Sequence, residues 1–285
     1  MASFKTIEEK VWEVPKALIE TTLKAQNVHG LIIHGEAGLG KTYLTRKTLV
    51  EEGLKENSDF IVRESRGTPL GVYIMLFENP DATFVLDDMM AFWSDETVRG
   101  ILMSALWDKG NGKRYISWTT SKVIRNGADE IPTRFEFRGK IIFIANDIPD
   151  VTVSPEYEPF FSRCYEAELK LNFADKVSYF KEIAQKRNVP KEVMDYVLGN
   201  VDDTFTTFNF RTILKVMEIF KSEPKVWKHI SKSLLKCDEE LKLMKELVTS
   251  RLPVEQQAEK FWQITGKSRA TYFRMKNKYA ERWLK

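Results

Sequence analysis

Eight residues, Gly35 to Thr42, restrict this chain more than any other feature. Gly35-Glu-Ala-Gly-Leu-Gly40-Lys41-Thr42 reads G-x-x-x-x-G-K-[ST] in full, with the apolar run Gly30 to His34 before it and a helical pattern after it. That is the context the motif requires: a buried strand ending in a glycine-rich turn that passes straight into a helix. The loop backbone can then wrap phosphate oxygens with its N–H groups. Lys41 supplies positive charge to the β- and γ-phosphates, the Thr42 hydroxyl ligates Mg²⁺, and the helix points its positive dipole end at the anion. The expected occupant is Mg-ATP, cradled by Gly35, Glu36, Ala37, Gly38, Leu39, Gly40, Lys41 and Thr42.

A second acidic strand completes the expectation. Phe84-Val85-Leu86-Asp87-Asp88 is an apolar run with carboxylates at its end. Asp87 suits the Mg²⁺ shell, because a hard cation takes carboxylate oxygen and keeps several waters. Asp88 reads either as a catalytic carboxylate or as a helix cap or loop residue.

The remaining strand candidates are Phe60 to Arg63, Ala82 to Leu86, Lys140 to Ala145 and Tyr165 to Leu171. Near-continuous Val/Ile/Leu/Phe runs belong to strands covered on both faces, so the fold expected is α/β, a doubly wound parallel sheet. Helices are expected over Glu8 to Lys24 and Asp95 to Trp107. Between the latter and Lys140, the pieces Arg114 to Thr119 and Pro132 to Arg138 read as an antiparallel hairpin. Strand signals stop after Asn172, and helices follow at about 173–187, 191–198, 209–221 and 224–247. The division expected is an α/β nucleotide-binding domain over 1–171, a helical lid over 172–247 and a small all-α tail over 248–285.

With 285 residues, 43% hydrophobic and 30% charged, the chain has material for about two domains and an appendage, and disorder is excluded. No apolar run approaches the roughly 18 residues that span a bilayer, so a soluble cytoplasmic protein with no membrane partner is expected. Cys164 and Cys237 lack ligand spacing and read as reduced thiols. Net charge is +3, but it is unevenly placed: Lys and Arg number 26 against 32 Asp and Glu through residue 210, and 18 against 9 beyond it. The basic end suits a polyanion, although lysine-rich helices can equally be solvated faces.

In that basic end, Pro253 to Gly266 reads as a helix begun by proline and stopped by glycine, and Ser268 caps another. Ala270 and Phe273, with Met275 and Tyr279, are expected to pack inward. Arg269, Thr271, Tyr272, Arg274, Lys276 and Lys278 are then left on an exposed face for DNA, as in a helix-turn-helix reader. A bundle cap or oligomer contact would use the same pattern.

Over residues 5 to 220 the chain resembles AAA+ ATPases. Ile142-Phe-Ile-Ala145-Asn146 looks like their sensor 1 strand, Phe161-Ser-Arg163-Cys164 like the arginine-finger segment, and Phe208-Asn-Phe210-Arg211 like the start of the sensor 2 helix. The Lys10 to Asn27 helix resembles the region preceding the adenine pocket. Arg66-Gly67-Thr68-Pro69 before a helix, Asp87-Asp88 and Ile116-Ser117-Trp118 resemble the ATPases of viruses and plasmids. The resemblance implies that Asn146 aligns water or the γ-phosphate, that Arg211 reaches phosphates from the lid, and that Arg163 enters a neighbour's site. Asp88 stands where many relatives carry a glutamate that polarises water. The hairpin matches a position that faces the channel of ring-forming relatives, so Lys113, Arg114, Lys122, Arg125 and Arg134 could track a phosphate backbone, with Trp118 or Tyr115 to stack or to fill core. The function implied is a DNA-acting ATPase in replication initiation or helicase loading, working as a homo-oligomeric ring, spiral or filament with a helicase or other replication partner. An ATP-dependent assembly switch with weak hydrolysis and a protein remodeller are the alternatives.

Overall fold

The computed structural model describes residues 5–64, 67–88, 95–108, 110, 112–120, 122–127, 129–205, 208–235, 238–280 and 283–284. Two compact units result, 1–170 and 171–285. Among the described residues no helix is long and apolar enough to cross a membrane.

The first unit opens with α1 (Ile7–Lys24). A capping box starts it: the Thr6 hydroxyl accepts from the Glu9 N–H at 3.1 Å and the Glu9 carboxylate accepts from the Thr6 N–H at 2.8 Å. Then follow β1 (Gly30–Gly35), α2 (Lys41–Glu51), β2 (Phe60–Arg63), α3 (Pro69–Glu78), β3 (Thr83–Asp87) and α4 (Glu96–Leu106). Thr68 caps α3 and Asp95 caps α4 through their side-chain oxygens, while Arg66 lies outside the described residues. Four short strands come next, β4 (Arg114–Ser117), β5 (Ile124–Asn126), β6 (Asp129–Ile131) and β7 (Arg134–Phe137). The unit ends with β8 (Lys140–Ala145), a 3-10 turn, α5 (Glu158–Phe161) and β9 (Cys164–Leu169).

Five strands form one parallel sheet in the order β2-β3-β8-β1-β9. The near-continuous apolar composition of β1, β3 and β8 is explained by burial on both faces, as at Leu31, Ile32, Ile33 and Ile141 to Ala145, whereas the edge strand β9 carries exposed Glu166 and Glu168. Placing β8 between β1 and β3 has a consequence for chemistry. The register sets His34 beside Ala145 and Asp87 beside Ile144, so the C-terminal tips of the three strands emerge together. Open α/β sheets bind ligands at that end.

The expected hairpin is present, β4 pairing with β7 antiparallel, and β5 with β6 forms a second small ladder at its far end. It is anchored by α3: the Tyr73 hydroxyl donates to the Pro132 carbonyl at 2.8 Å, and Phe135 packs edge-on against Tyr73 and Phe77.

The second unit contains α6 (Phe173–Lys186), α7 (Lys191–Gly199), α8 (Phe210–Ser222), α9 (Trp227–Ser231), a 3-10 turn, α10 (Glu239–Thr249), α11 (Val254–Thr265) and α12 (Arg269–Tyr279). The single helix expected over 224–247 is in fact broken. Asp238 restarts the chain as α10, its carboxylate accepting from the Glu240 and Leu241 N–H groups, which an uninterrupted helix would have bonded internally. Cys237 lies outside the described residues. Met244, Leu247 and Val248 of α10 share one core with Ala258 and Phe261 of α11 and Tyr272 of α12, so these three helices form a small bundle.

Candidate nucleotide site and basic helical module

The phosphate loop is built by backbone geometry. Gly38 and Gly40 hold φ of 78° and 85°, in the left-handed region, and Gly40 is the N-cap of α2. Gly40 has no side chain with which to cap α2, and a helix N-terminus points its N–H groups back toward the preceding loop, the arrangement an anion requires. Gly35 is constrained from the other side, since a Cβ there would lie 2.3 Å from the Leu169 carbonyl oxygen of β9.

Lys41 is buried, and its ammonium is aimed by three acceptors: the carbonyls of Gly35 at 2.7 Å and Glu36 at 2.9 Å, and Oδ1 of Asn146 at 3.1 Å. Asn146 reaches it because β8 is the strand between the phosphate loop and β3. The Thr42 hydroxyl donates to Oδ2 of Asp87 at 2.5 Å, and Oδ1 of Asp87 accepts from the Asp88 N–H at 2.9 Å. A loop glycine, an ammonium, an amide, a hydroxyl and a carboxylate, from β1, α2, β3 and the end of β8, thus meet at one sheet end.

These residues fit a magnesium nucleotide. Thr42 and Asp87 offer only oxygen donors, the chemistry Mg²⁺ prefers, and a cation held by two protein oxygens has positions left for phosphates and water. Among the described residues no group of three His, Cys, Asp or Glu side chains could hold another metal. Asp88 has φ of 57°, a left-handed conformation that aspartate tolerates better than most residues, and is exposed at the end of β3. It does not cap a described helix.

Arg163 stands apart from these groups. Cys164 pairs with Gly30 and Leu169 with Gly35, so Arg163 lies at the opposite end of the sheet from the loop, roughly 20 Å along strands that rise about 3.3 Å per residue. It donates to the Pro159 carbonyl and lies 6.0 Å from the Trp107 ring, and its Nε is buried without a hydrogen-bond partner among the described residues. Arg211 is exposed in the first turn of α8, whose N-cap Asn209 accepts from the Thr212 N–H.

The hairpin residues divide. Arg114 is only 4% exposed: its Nη1 donates to the Ala105 carbonyl at 2.6 Å and its guanidinium lies 5.3 Å from the Phe137 ring. This corrects the expectation that Arg114 tracks a phosphate backbone. The last carbonyls of α4 need a donor, and a buried arginine serves them. Lys113 pairs with Glu136, Arg125 with Glu130, and Arg134 covers the Tyr115 ring at 4.2 Å. Trp118 is half-buried against Tyr73.

A basic cluster near Arg114 gave no local signal in the sequence. Lys140 donates to Nδ1 of His29 at 3.0 Å and to the Ala25 carbonyl. An ammonium has no acceptor, so His29 is neutral with its proton on Nε2. Burial, reinforced by Arg114 and Lys140, pushes the His29 pKa down to about 4; burial and Arg114 push Lys140 down to about 8.

In the C-terminal bundle, Gly266 ends α11 with φ of 69°, and Ser268 caps α12 by accepting from the Thr271 N–H. Tyr272 is fully buried and its hydroxyl donates to Oε1 of Gln257 at 2.5 Å, so the expectation that it faces DNA is corrected: the phenol is core. Ala270, expected inward, is exposed. Arg269 pairs with Glu255, Thr271 meets Ser268, and Lys278 lies 5.4 Å from the Tyr279 ring. Arg274 is exposed and Lys276 half-buried.

No family model matches the chain. An uncharacterized 36.7 kDa protein from the nrdC-mobD intergenic region of Enterobacteria phage T4 is 25% identical over 224 residues, which cover 72% of this chain and 67% of that protein. The RuvB Holliday junction branch migration motor of Thermotoga maritima is similar in structure with a TM-score of 0.50, at 12% identity, over 94% of this chain and 87% of its own. Domain III of the Thermotoga maritima replication initiation protein DnaA gives 0.46 at 18% identity over 81% and 97%. At such identities the RuvB likeness is one of fold.

Proposed function

We propose, from the AAA+ P-loop fold of this chain, that it is a Mg²⁺-dependent ATPase that assembles with copies of itself and acts on DNA, as initiators and helicase loaders do. The observation that carries the reading is the convergence of Lys41, Thr42, Asp87 and Asn146 at the tip of the sheet. Loop N–H groups and Lys41 bind and orient the phosphates, and Asn146 sets the direction of the lysine or of a water. Mg²⁺, held by Thr42 and Asp87, neutralises phosphate charge when bound. Asp88 holds the attacking water. Arg163 cannot serve its own loop across the sheet, so it completes a neighbour's site, while Arg211 acts from the helical unit. The bundle of α10, α11 and α12 grips duplex DNA through its basic surface.

Phosphate release measured with and without duplex DNA tests this reading. Turnover dependent on Mg²⁺ and stimulated by DNA is expected, and absence of ATP binding would refute it. One feature favours a second reading, an assembly switch with slow hydrolysis: Asp88, on left-handed backbone, is one methylene shorter than a glutamate. On that reading a non-hydrolysable ATP analogue supports assembly on DNA as fully as ATP, and DNA leaves the turnover rate unchanged.

A further inference from the structure

The orientation of α12 carries an inference about how DNA is recognised, and it rests on the proposed DNA-acting function. Tyr272, fully buried and bonded to Gln257, fixes which side of the helix faces the bundle. Ala270, Arg274 and Asn277 follow at i, i+4 and i+7 on the opposite side, and all three are exposed. Neither the Arg274 guanidinium nor the Asn277 amide makes a hydrogen bond or ion pair among the described residues. Nearby charged groups do the reverse: Arg269 is committed to Glu255, and Lys267 donates to Glu240 at 2.6 Å. A guanidinium, an amide and a methyl therefore share one open stripe on a helix held rigidly from behind.

This is the chemistry of base reading. Arginine pairs in bidentate fashion with guanine O6 and N7, asparagine with adenine N6 and N7, and an alanine methyl packs on the thymine methyl. At about 1.5 Å rise per residue the stripe is about 10 Å long, matching about three base-pair steps of roughly 3.4 Å. Charge complementarity selects the occupant: Lys278 stands exposed beside the stripe, and the chain beyond residue 210 carries 18 Lys and Arg against 9 Asp and Glu.

We propose that Ala270, Arg274 and Asn277 are specificity-determining residues that read base edges in the major groove of duplex DNA, with Lys278 on the flanking phosphate backbone. The bundle then recognises a short preferred sequence.

The test is selection of the full chain against a randomised duplex library, followed by salt-dependent binding measurements. Wild type should enrich about three adjacent constrained base pairs per protomer, guanine and adenine among them. Asn277→Ala and Arg274→Lys should each lose preference at one base pair by about tenfold, with unchanged affinity for random duplex. Lys278→Ala should weaken binding to every sequence alike and lower the salt slope by about one. Duplex binding with no enriched sequence, or enrichment identical in both base-reading variants, overturns this inference and leaves the DNA-acting function standing. Absence of duplex binding even at low salt overturns that function, and the inference with it.

Discussion

A site shared between subunits can be tested by splitting its two halves between variants. Arg163 lies roughly 20 Å of strand from its own phosphate loop, far beyond the reach of an arginine side chain, whereas Lys41 sits in that loop. Lys41→Ala subunits lack a working loop yet keep an arginine to donate, and Arg163→Ala subunits have the converse defect. Each variant alone should be nearly inactive, since a finger supplied in trans contributes on the order of 10³-fold to turnover. In a randomly mixed 1:1 assembly, half the loops are intact and half of their neighbours bring an arginine. About a quarter of the interfaces should then work, and phosphate release should rise to about a quarter of the wild-type rate from two almost silent parents. Titrating Arg163→Ala into wild type should instead lower the rate in simple proportion if the sites fire independently. Light scattering on the mixture must confirm that the two variants co-assemble. A co-assembled mixture no faster than the mean of its parents would show that Arg163 does not complete a neighbouring site.

Further consequences concern single residues. Lys41→Ala should abolish Mg-ATP binding in calorimetry, because the buried ammonium aimed by Gly35, Glu36 and Asn146 has no substitute; retained tight binding would reject the loop assignment. Asp88→Asn should keep ATP affinity and remove turnover, and an unchanged rate would take Asp88 out of the chemistry. His29 carries a pH dependence: its pKa falls from 6.5 to about 4 through burial, then Arg114 and Lys140, with Asp108 opposing. The unfolded chain therefore binds the extra proton first, so stability drops as pH falls from about 6.5 to about 4, by about 3 kcal/mol. His29→Gln, whose amide oxygen can still accept from Lys140, should flatten that acid limb in urea denaturation, and an unaltered limb would assign it elsewhere.

What the sequence made legible was what the backbone alone decides. All five sheet strands lie within a residue or two of the runs expected for them: central β1, β3 and β8, covered on both faces, have almost no polar positions to blur their ends, while edge strand β9 alternates exposed Glu166 and Glu168 with buried Ala167 and Leu169. The glycine-lysine-threonine loop is likewise local, needing only positive φ and a helix start. Residues whose role depends on a partner in another element are less legible. Hydrophobicity alone favours Ala270 over Tyr272 for the interior, yet Tyr272 is drawn in by Gln257, one helix earlier, which satisfies its hydroxyl, and Ala270 is exposed. Arg114 had the charge of a DNA contact, yet the carbonyl of Ala105 at the end of α4 holds it inside. Asn146 meets Lys41 only because β8 is inserted between β1 and β3, and strand order is not written in any local pattern. The same reasoning bears on α12. Burying Tyr272 turns Arg274 and Asn277 outward together, so the stripe follows from how α12 is seated in the core rather than from the basic composition of the tail. Composition alone would support a nonspecific grip on phosphates; the buried phenol is what makes a sequence-reading face the expected outcome.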